Sequence, residues 1–122
     1  MTRILIADDH QMFIDGIKSL LSSNNQFSVI GEAHNGQEVV DFISKEKVDI
    51  VLLDMNMPVM DGMQALKIIK EKFPIVKVVM LTMFSTRDYI EKLLKAGANG
   101  YILKNTGKEE LTLGIETIMR GE

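Results

Sequence analysis

The chain has no cysteine among its 122 residues, so it can build no disulfide framework and offer no thiolate to a metal. Any bound ion must rest on oxygen or histidine. It also lacks an apolar stretch approaching the roughly 20 residues of a membrane-spanning helix. Met1 leads directly into a short strand-like run, without the basic stretch and long apolar segment of a signal peptide, so a cytoplasmic protein with no membrane association is expected. A dense basic patch is missing as well: the formal charge is -3, and lysines such as Lys67, Lys70 and Lys72 are scattered on what read as solvated helical faces. Phosphate backbones are held mainly by clustered Lys and Arg, so direct nucleic-acid binding by this chain is not expected. Without linkers, repeats or low-complexity segments, residues 1–122 read as one domain.

What is present is a regular alternation of apolar runs of strand length with segments of helical period, the pattern of βα units around a parallel sheet. Strands are expected at Ile4 to Ala7, Phe27 to Ala33, Ile50 to Leu53, Val76 to Leu81 and Tyr101 to Leu103. The second, where Phe27, Val29, Gly31 and Ala33 alternate with polar residues, reads as a half-exposed edge strand. Helix starts are marked by a capping oxygen followed three residues later by an acid or amide: Asn35 with Glu38, Asp61 with Gln64, Thr106 with Glu109 and, more weakly, Ser85 with Asp88. Gly97 suits a left-handed helix stop, and Pro74 blocks continuation of the third helix. The predicted architecture is a doubly wound α/β fold with sheet order 2-1-3-4-5, in which strands one and three are neighbours at the topological switch point.

Four of the five runs end in a charged or hydroxylated residue: Asp8-Asp9 after the first, Asp54 after the third, Thr82 after the fourth and Lys104 after the fifth. Parallel strands would gather these groups at the carboxyl edge of the sheet, where ligands of such sheets bind. Three carboxylates so placed repel one another, so a fold that gathers them needs either raised pKa values or a bound cation, and a divalent cation is the economical answer. Mg²⁺ suits hard oxygen ligands, with Asp9 and Asp54 direct or nearly so, Asp8 acting through water and the backbone carbonyl of Asn56 completing the shell. Lys104 and Thr82 gain a task if a phosphoryl group arrives, as cation and hydroxyl donor, and Asp54 is then the nucleophile and phosphoacceptor.

Over essentially its whole length the chain resembles the receiver domain of two-component response regulators. The resemblance rests on Asp8-Asp9, the segment Leu53-Asp54-Met55-Asn56-Met57-Pro58-Val59-Met60-Asp61-Gly62, Leu81-Thr82, and Ala96-Gly97-Ala98-Asn99-Gly100-Tyr101-Ile102-Leu103-Lys104. It implies a flavodoxin-like (βα)5 three-layer sandwich, phosphotransfer from a sensor histidine kinase to Asp54, dependence on Mg²⁺ and slow self-catalysed dephosphorylation. It also implies that Thr82 closes onto the phosphoryl group while Tyr101 turns inward behind it. Asp8-Asp9-His10 followed by Gly16-Ile17, with the ending Ile118-Met119-Arg120-Gly121-Glu122, resembles the NarL/FixJ subfamily, which carries a LuxR-type helix-turn-helix output domain. Such a domain, expected to reach DNA and control transcription, is not in this chain. An excised receiver, a stand-alone receiver in a phosphorelay and a homodimer are all compatible with the residues.

The same residues admit other readings. An Asp pair after a strand is often a solvated turn, Lys104 alone could be a surface residue, and Tyr101 a plain strand aromatic. His10 reads as a surface residue because hard Mg²⁺ disfavours imidazole. Met55, Met57, Met60 and Met63 read as adaptable packing, and Met12 and Phe13 either as exposed partner anchors or as core. A Mg²⁺-dependent phosphatase with an aspartyl-phosphate intermediate would want an acid two residues after its nucleophile, where this chain has Asn56. A flavin cradle would be repelled by Asp8-Asp9. Asn105 follows Lys104 where many receivers have proline, and Met83 follows Thr82 where a small residue is usual, a bulk expected to restrict access to Asp54.

Overall fold

The computed structural model describes residues 1–83 and 86–121. Strands and helices alternate as β1 (Thr2–Ala7), α1 (Gln11–Leu21), β2 (Phe27–Ala33), α2 (Gly36–Lys45), β3 (Ile50–Asp54), α3 (Gly62–Lys72), β4 (Lys77–Thr82), α4 (Arg87–Lys95), β5 (Gly100–Leu103) and α5 (Lys108–Met119). All pairings are parallel, in the order β2-β1-β3-β4-β5. This is the doubly wound three-layer architecture that the alternating pattern predicts.

Side chains of a strand point alternately to the two faces of the sheet, and here each face is buried under helices. Leu5, Val51, Leu53, Val78 and Met80 meet Val39, Ile43, Leu66, Ile69 and Leu93 on one side. Ile4, Ile6, Ile50, Leu52, Val79 and Leu81 meet Ile14, Ile17, Leu21, Leu111, Ile115 and Ile118 on the other. Each such side chain removed from water contributes roughly 1.5–3 kcal/mol before chain entropy is subtracted. On α4, Leu93 is buried while its neighbour Leu94 is exposed. Lys67 and Lys72 are solvated as expected, but Lys70 is half-buried and donates to the Val76 carbonyl at 2.9 Å; burial and then the Lys77 charge lower its pKa.

The edge strand β2 differs from its simple alternation. Its register against β1 slips between Ile4 and Leu5, which pair with Val29 and Gly31, so Ile30 is an inserted bulge residue. Phe27 and Val29 therefore pack on the α1/α5 side, whereas Ile30 and Ala33 pack on the α2/α3/α4 side. Gly31 lies against the Phe42 ring, where an added Cβ would sit 2.5 Å from it. The four apolar residues are not one face but two pairs on opposite faces.

Capping chemistry is borne out at two helices and corrected at a third. Asn35 accepts from the Glu38 amide at 2.8 Å, and Asp61 with Gln64 forms a reciprocal capping box. At α5 the N-cap is Gly107 rather than Thr106 and carries no side-chain cap, because the Thr106 amide is used in a turn closed on Leu103. Ser85 lies outside the described residues; the N-cap of α4 is Thr86, also without a side-chain cap bond. Gly97 takes the left-handed φ of 108° expected of a helix stop.

The parallel register sets the carboxyl edge. Ala7 pairs with Leu53, Asp54 with Leu81, and Thr82 with Leu103, so Asp8, Asp54, Thr82 and Lys104 follow one another along the strand ends. The Asp8 amide donates to Ala33 and the Lys104 amide to Thr82, carrying the sheet pattern one residue further. Helix α3 starts directly against this edge: a Cβ at Gly62 would lie 2.1 Å from the Asp54 carbonyl oxygen. Gly62→Ala is therefore expected to cost about 2 kcal/mol or more in urea unfolding. Gly16→Ala, in the open middle of α1, is expected to gain about 0.5–1 kcal/mol, because nothing lies within 4 Å of the added methyl.

Candidate functional site

Asp8 and Asp54 are carried inward by the strands they terminate or follow, and the sheet edge leaves them 0% and 5% exposed. Between them lies the Lys104 ammonium, 2.7 Å from Asp8 Oδ2 and 3.1 Å from Asp54 Oδ1. Lys104 reaches that position across the Phe13 ring, whose centroid is 4.7 Å from Nζ. Phe13 thus forms an apolar floor under the amine, while its neighbour Met12 is exposed; the pair divides between the two readings open to it in the sequence.

The charges are unbalanced. Two carboxylates face one ammonium, and a third, Asp9, stands beside Asp8 at the exposed rim. Burial, and then the charge of Asp8, push the Asp54 carboxyl above its ordinary value; Lys104 and a hydrogen bond from the Asn56 amide pull the other way without cancelling the rise. At Lys104 burial alone would lower the pKa, but hydrogen bonds to Asp8 and Asp54 and their charges outweigh it and raise the pKa. Asp8 Oδ2 is buried against the Lys104 ammonium. An oxygen-rich donor set with an excess of negative charge fits a hard divalent cation.

Thr82 ends β4 at 2% exposure and, with His10, Asp54, Met55, Asn56, Leu81, Met83, Tyr89 and Lys104, lines a cavity of about 190 Å³ over the acceptor edge. The space is small and polar at its base, with room for a phosphoryl-sized group. Met83 lines it while remaining exposed, the position from which its bulk can screen Asp54. Tyr101 stands apart from this gathering: it is 42% exposed on β5 and lines an outer groove with Leu94 and Leu113. Of the sequence-derived residues, Asp8, Asp54, Thr82 and Lys104 come together, Asp9 and Asn56 border them, and Tyr101 faces outward.

The loop after Asp54 is held by local geometry. The Met60 amide donates to the Pro58 carbonyl at 2.7 Å, closing a three-residue turn around Val59 at φ 69°. A β-branched residue there costs about 1–3 kcal/mol, borne by the surrounding bonds of Gly36 to Met60 and Gly62 to Met55. Met57 is buried, and Met55, Met60 and Met63 pack against the same core layer, as packing residues should. Every peptide bond among the described residues is trans, including that of Lys104 to Asn105.

Three residues of the site carried little sequence signal. Phe13 and Tyr89 look like ordinary helical apolar residues until their neighbours are known. His10, read as a surface side chain, is exposed yet tied to the acidic pair, its Nδ1 3.0 Å from Asp9 Oδ1 and 3.3 Å from Asp8 Oδ1.

Both ionisations give stability that is lost as pH rises, in different pH windows. The raised Asp54 pKa means that the folded chain holds that proton more tightly than the unfolded one. Its contribution is greatest in acid and is lost as pH rises from the ordinary carboxylate value through the raised one. The raised Lys104 pKa gives a contribution present below the ordinary lysine value and lost as pH climbs through the raised one. Asp54→Asn is thus expected to raise the melting temperature by a few degrees at neutral pH and to flatten the acid side of the stability profile. Lys104→Met, which leaves buried Asp8 without its cation, is expected to cost about 3 kcal/mol in urea unfolding.

Comparison with known proteins agrees with the fold. The family model of the response regulator receiver domain matches residues 4–116. The chain is 33% identical over 119 residues to the transcriptional regulatory protein DegU of Brevibacillus brevis, covering 98% of this chain and 50% of DegU. It is 37% identical over 121 residues to the transcriptional regulatory protein YdfI of Bacillus subtilis, covering 99% and 56%. The chain thus spans about half the length of the curated relatives it matches. Among solved structures, a LuxR-family two-component response regulator from Aurantimonas superposes with a TM-score of 0.92 at 28% identity, covering 100% of this chain and 88% of the other. By its sequence and its topology alike, the chain belongs to the response regulator receiver domain family.

Proposed function

We propose that this receiver is switched by phosphorylation of Asp54. The observation that carries the reading is the Asp54 carboxylate itself, buried at the end of β3, 3.1 Å from the Lys104 ammonium and opening into a cavity of about 190 Å³. A carboxylate oxygen attacks the phosphorus of a histidine-kinase phosphoimidazole; the new O–P bond forms as the P–N bond breaks, and the leaving imidazole takes up a proton. The raised pKa of Asp54 makes its ionised form a better nucleophile, while Lys104 keeps it ionised and neutralises charge on the incoming oxygens. Thr82, at the same edge, supplies a hydroxyl to the phosphoryl group.

Mg²⁺ fits the donor set of Asp9, Asp54, the Asn56 carbonyl and, through water, Asp8. When bound, it would neutralise phosphoryl charge and align donor and acceptor. The residues do the remaining work. Movement of Thr82 toward the phosphoryl group would vacate space into which Tyr101 turns, changing the surface formed by α4, β5 and α5. Only contacts made in one conformation and not the other can drive that shift, and Thr82 and Lys104 are placed to make them. The relatives being transcriptional regulators supports signalling to a LuxR-type DNA-binding output rather than a phosphatase turning over free substrate.

Intact mass after acetyl phosphate tests the reaction. One added phosphoryl group is expected in the parent with Mg²⁺, none without the metal, and none in Asp54→Asn. Lys104→Ala is expected to label on the order of 100-fold more slowly. With Met83 screening the acceptor, Met83→Ala should lose its phosphoryl group faster than the parent; an equal or slower rate removes that role from Met83.

A further inference from the structure

Phe13 offers no group to phosphoryl chemistry, yet it touches the ammonium on which that chemistry depends. Nζ of Lys104 sits over its ring, 4.7 Å from the centroid, within the range of a cation–π contact. The backbone explains how the ring arrives there. Asp8 Oδ1 accepts from the His10 amide at 2.9 Å, and the His10 carbonyl accepts from the Phe13 amide at 3.0 Å, so the loop after β1 turns directly into the first turn of α1. Ile14 and Ile17, buried on the same helix, fix α1 against the sheet, and Phe13 packs on that layer. One short segment thereby brings both an anion, Asp8, and an aromatic face to the same ammonium.

The ring supplies what an acidic or aliphatic neighbour would not. An ammonium carries three N–H donors. Asp8 Oδ2 at 2.7 Å and Asp54 Oδ1 at 3.1 Å are two neighbours of Nζ, and the ring is a third. A further carboxylate there would add charge to a site that already has an excess of it, and an aliphatic side chain would desolvate the ammonium without compensation. The ring quadrupole attracts the cation while adding no net charge. That attraction is stronger where water is largely excluded, and the Lys104 side chain is 15% exposed. The contact also has no single hydrogen-bond direction. The ammonium can therefore turn from the Asp54 carboxylate toward an incoming phosphoryl oxygen while remaining over the ring.

We infer that Phe13 is a positioning residue for phosphotransfer: its ring face holds the Lys104 ammonium beside Asp54 and thereby sets how fast Asp54 takes up a phosphoryl group. It acts through Lys104 and touches no reacting atom. The inference rests on the reading of Asp54 as the phosphoacceptor. It adds that the flexible four-carbon stem of the lysine is steered by α1, from the other end of the chain, and not by β5 alone.

Initial rates of labelling by acetyl phosphate with Mg²⁺, read by intact mass, are compared in the parent, Phe13→Leu, Phe13→Tyr, Lys104→Ala and the double variant Phe13→Leu with Lys104→Ala. Phe13→Leu keeps an apolar side chain and removes the face. It is expected to label about fivefold more slowly, part of the roughly 100-fold loss expected without the ammonium. Phe13→Tyr restores the face and is expected to bring the rate back to within about twofold of the parent. In the Lys104→Ala background Phe13→Leu is expected to change nothing further, because no cation is left to position, whereas a loss of packing alone would slow both backgrounds equally. In the parent itself, the Lys104 ε protons are expected at high field in the NMR spectrum because they lie over the ring. A Phe13→Leu rate equal to the parent's, an equal further loss in the Lys104→Ala background, a Phe13→Tyr rate as low as that of Phe13→Leu, or parent ε protons without the high-field shift overturns the inference and leaves the acceptor reading standing. Labelling of Lys104→Ala as fast as the parent, or labelling of Asp54→Asn, overturns that reading and the inference with it.

Discussion

A single ammonium spanning two buried carboxylates is the interaction on which the rest of this structure depends. Lys104 comes from the last strand, Asp8 follows the first and Asp54 ends the central one, so the bridge ties together parts of the chain far apart in sequence. Burying two acids at one edge is costly, and the amine offsets only part of that cost. The remainder is kept as an excess of negative charge, a site under electrostatic tension that a cation can relieve.

The fold makes such a tension possible without losing stability elsewhere. Two apolar layers, one on each face of the sheet, fix the strand register to the residue, because a slip by one would turn every strand side chain to the wrong layer. Register in turn fixes where Asp54, Thr82 and Lys104 fall. Gly62 and Gly36 let the acceptor loop and α2 approach closely enough to hold Asp54 against this frame. Packing energy distributed over the core thereby positions a few polar atoms at the rim.

Much of this was legible in the sequence because it repeats. The strand runs, the order of polar residues at their ends, the caps at Asn35 and Asp61 and the stop at Gly97 each reflect a local rule that tertiary structure did not override. What was not legible depends on pairings between distant segments. The bulge at Ile30 is a slip between β2 and β1 that apolar alternation within β2 cannot encode. The cap at α5 moved from Thr106 to Gly107 because a turn on Leu103 used the threonine amide first. Phe13 beneath Lys104 and His10 beside Asp9 are meaningful only once the loop after β1 is folded over the acids. Tyr101, marked by resemblance as a residue that turns inward, stands outward on β5.

The central claim is that Asp54, and no other side chain, carries the phosphoryl group as an acyl phosphate. Reduction of the phosphorylated chain with borohydride followed by peptide mapping tests it directly, since an acyl phosphate is reduced to the alcohol while phosphoesters and phosphoramidates are not. The account predicts homoserine at position 54 and aspartate at positions 8 and 9. Reduction at another acid, or a phosphorylated chain that resists borohydride, would contradict it.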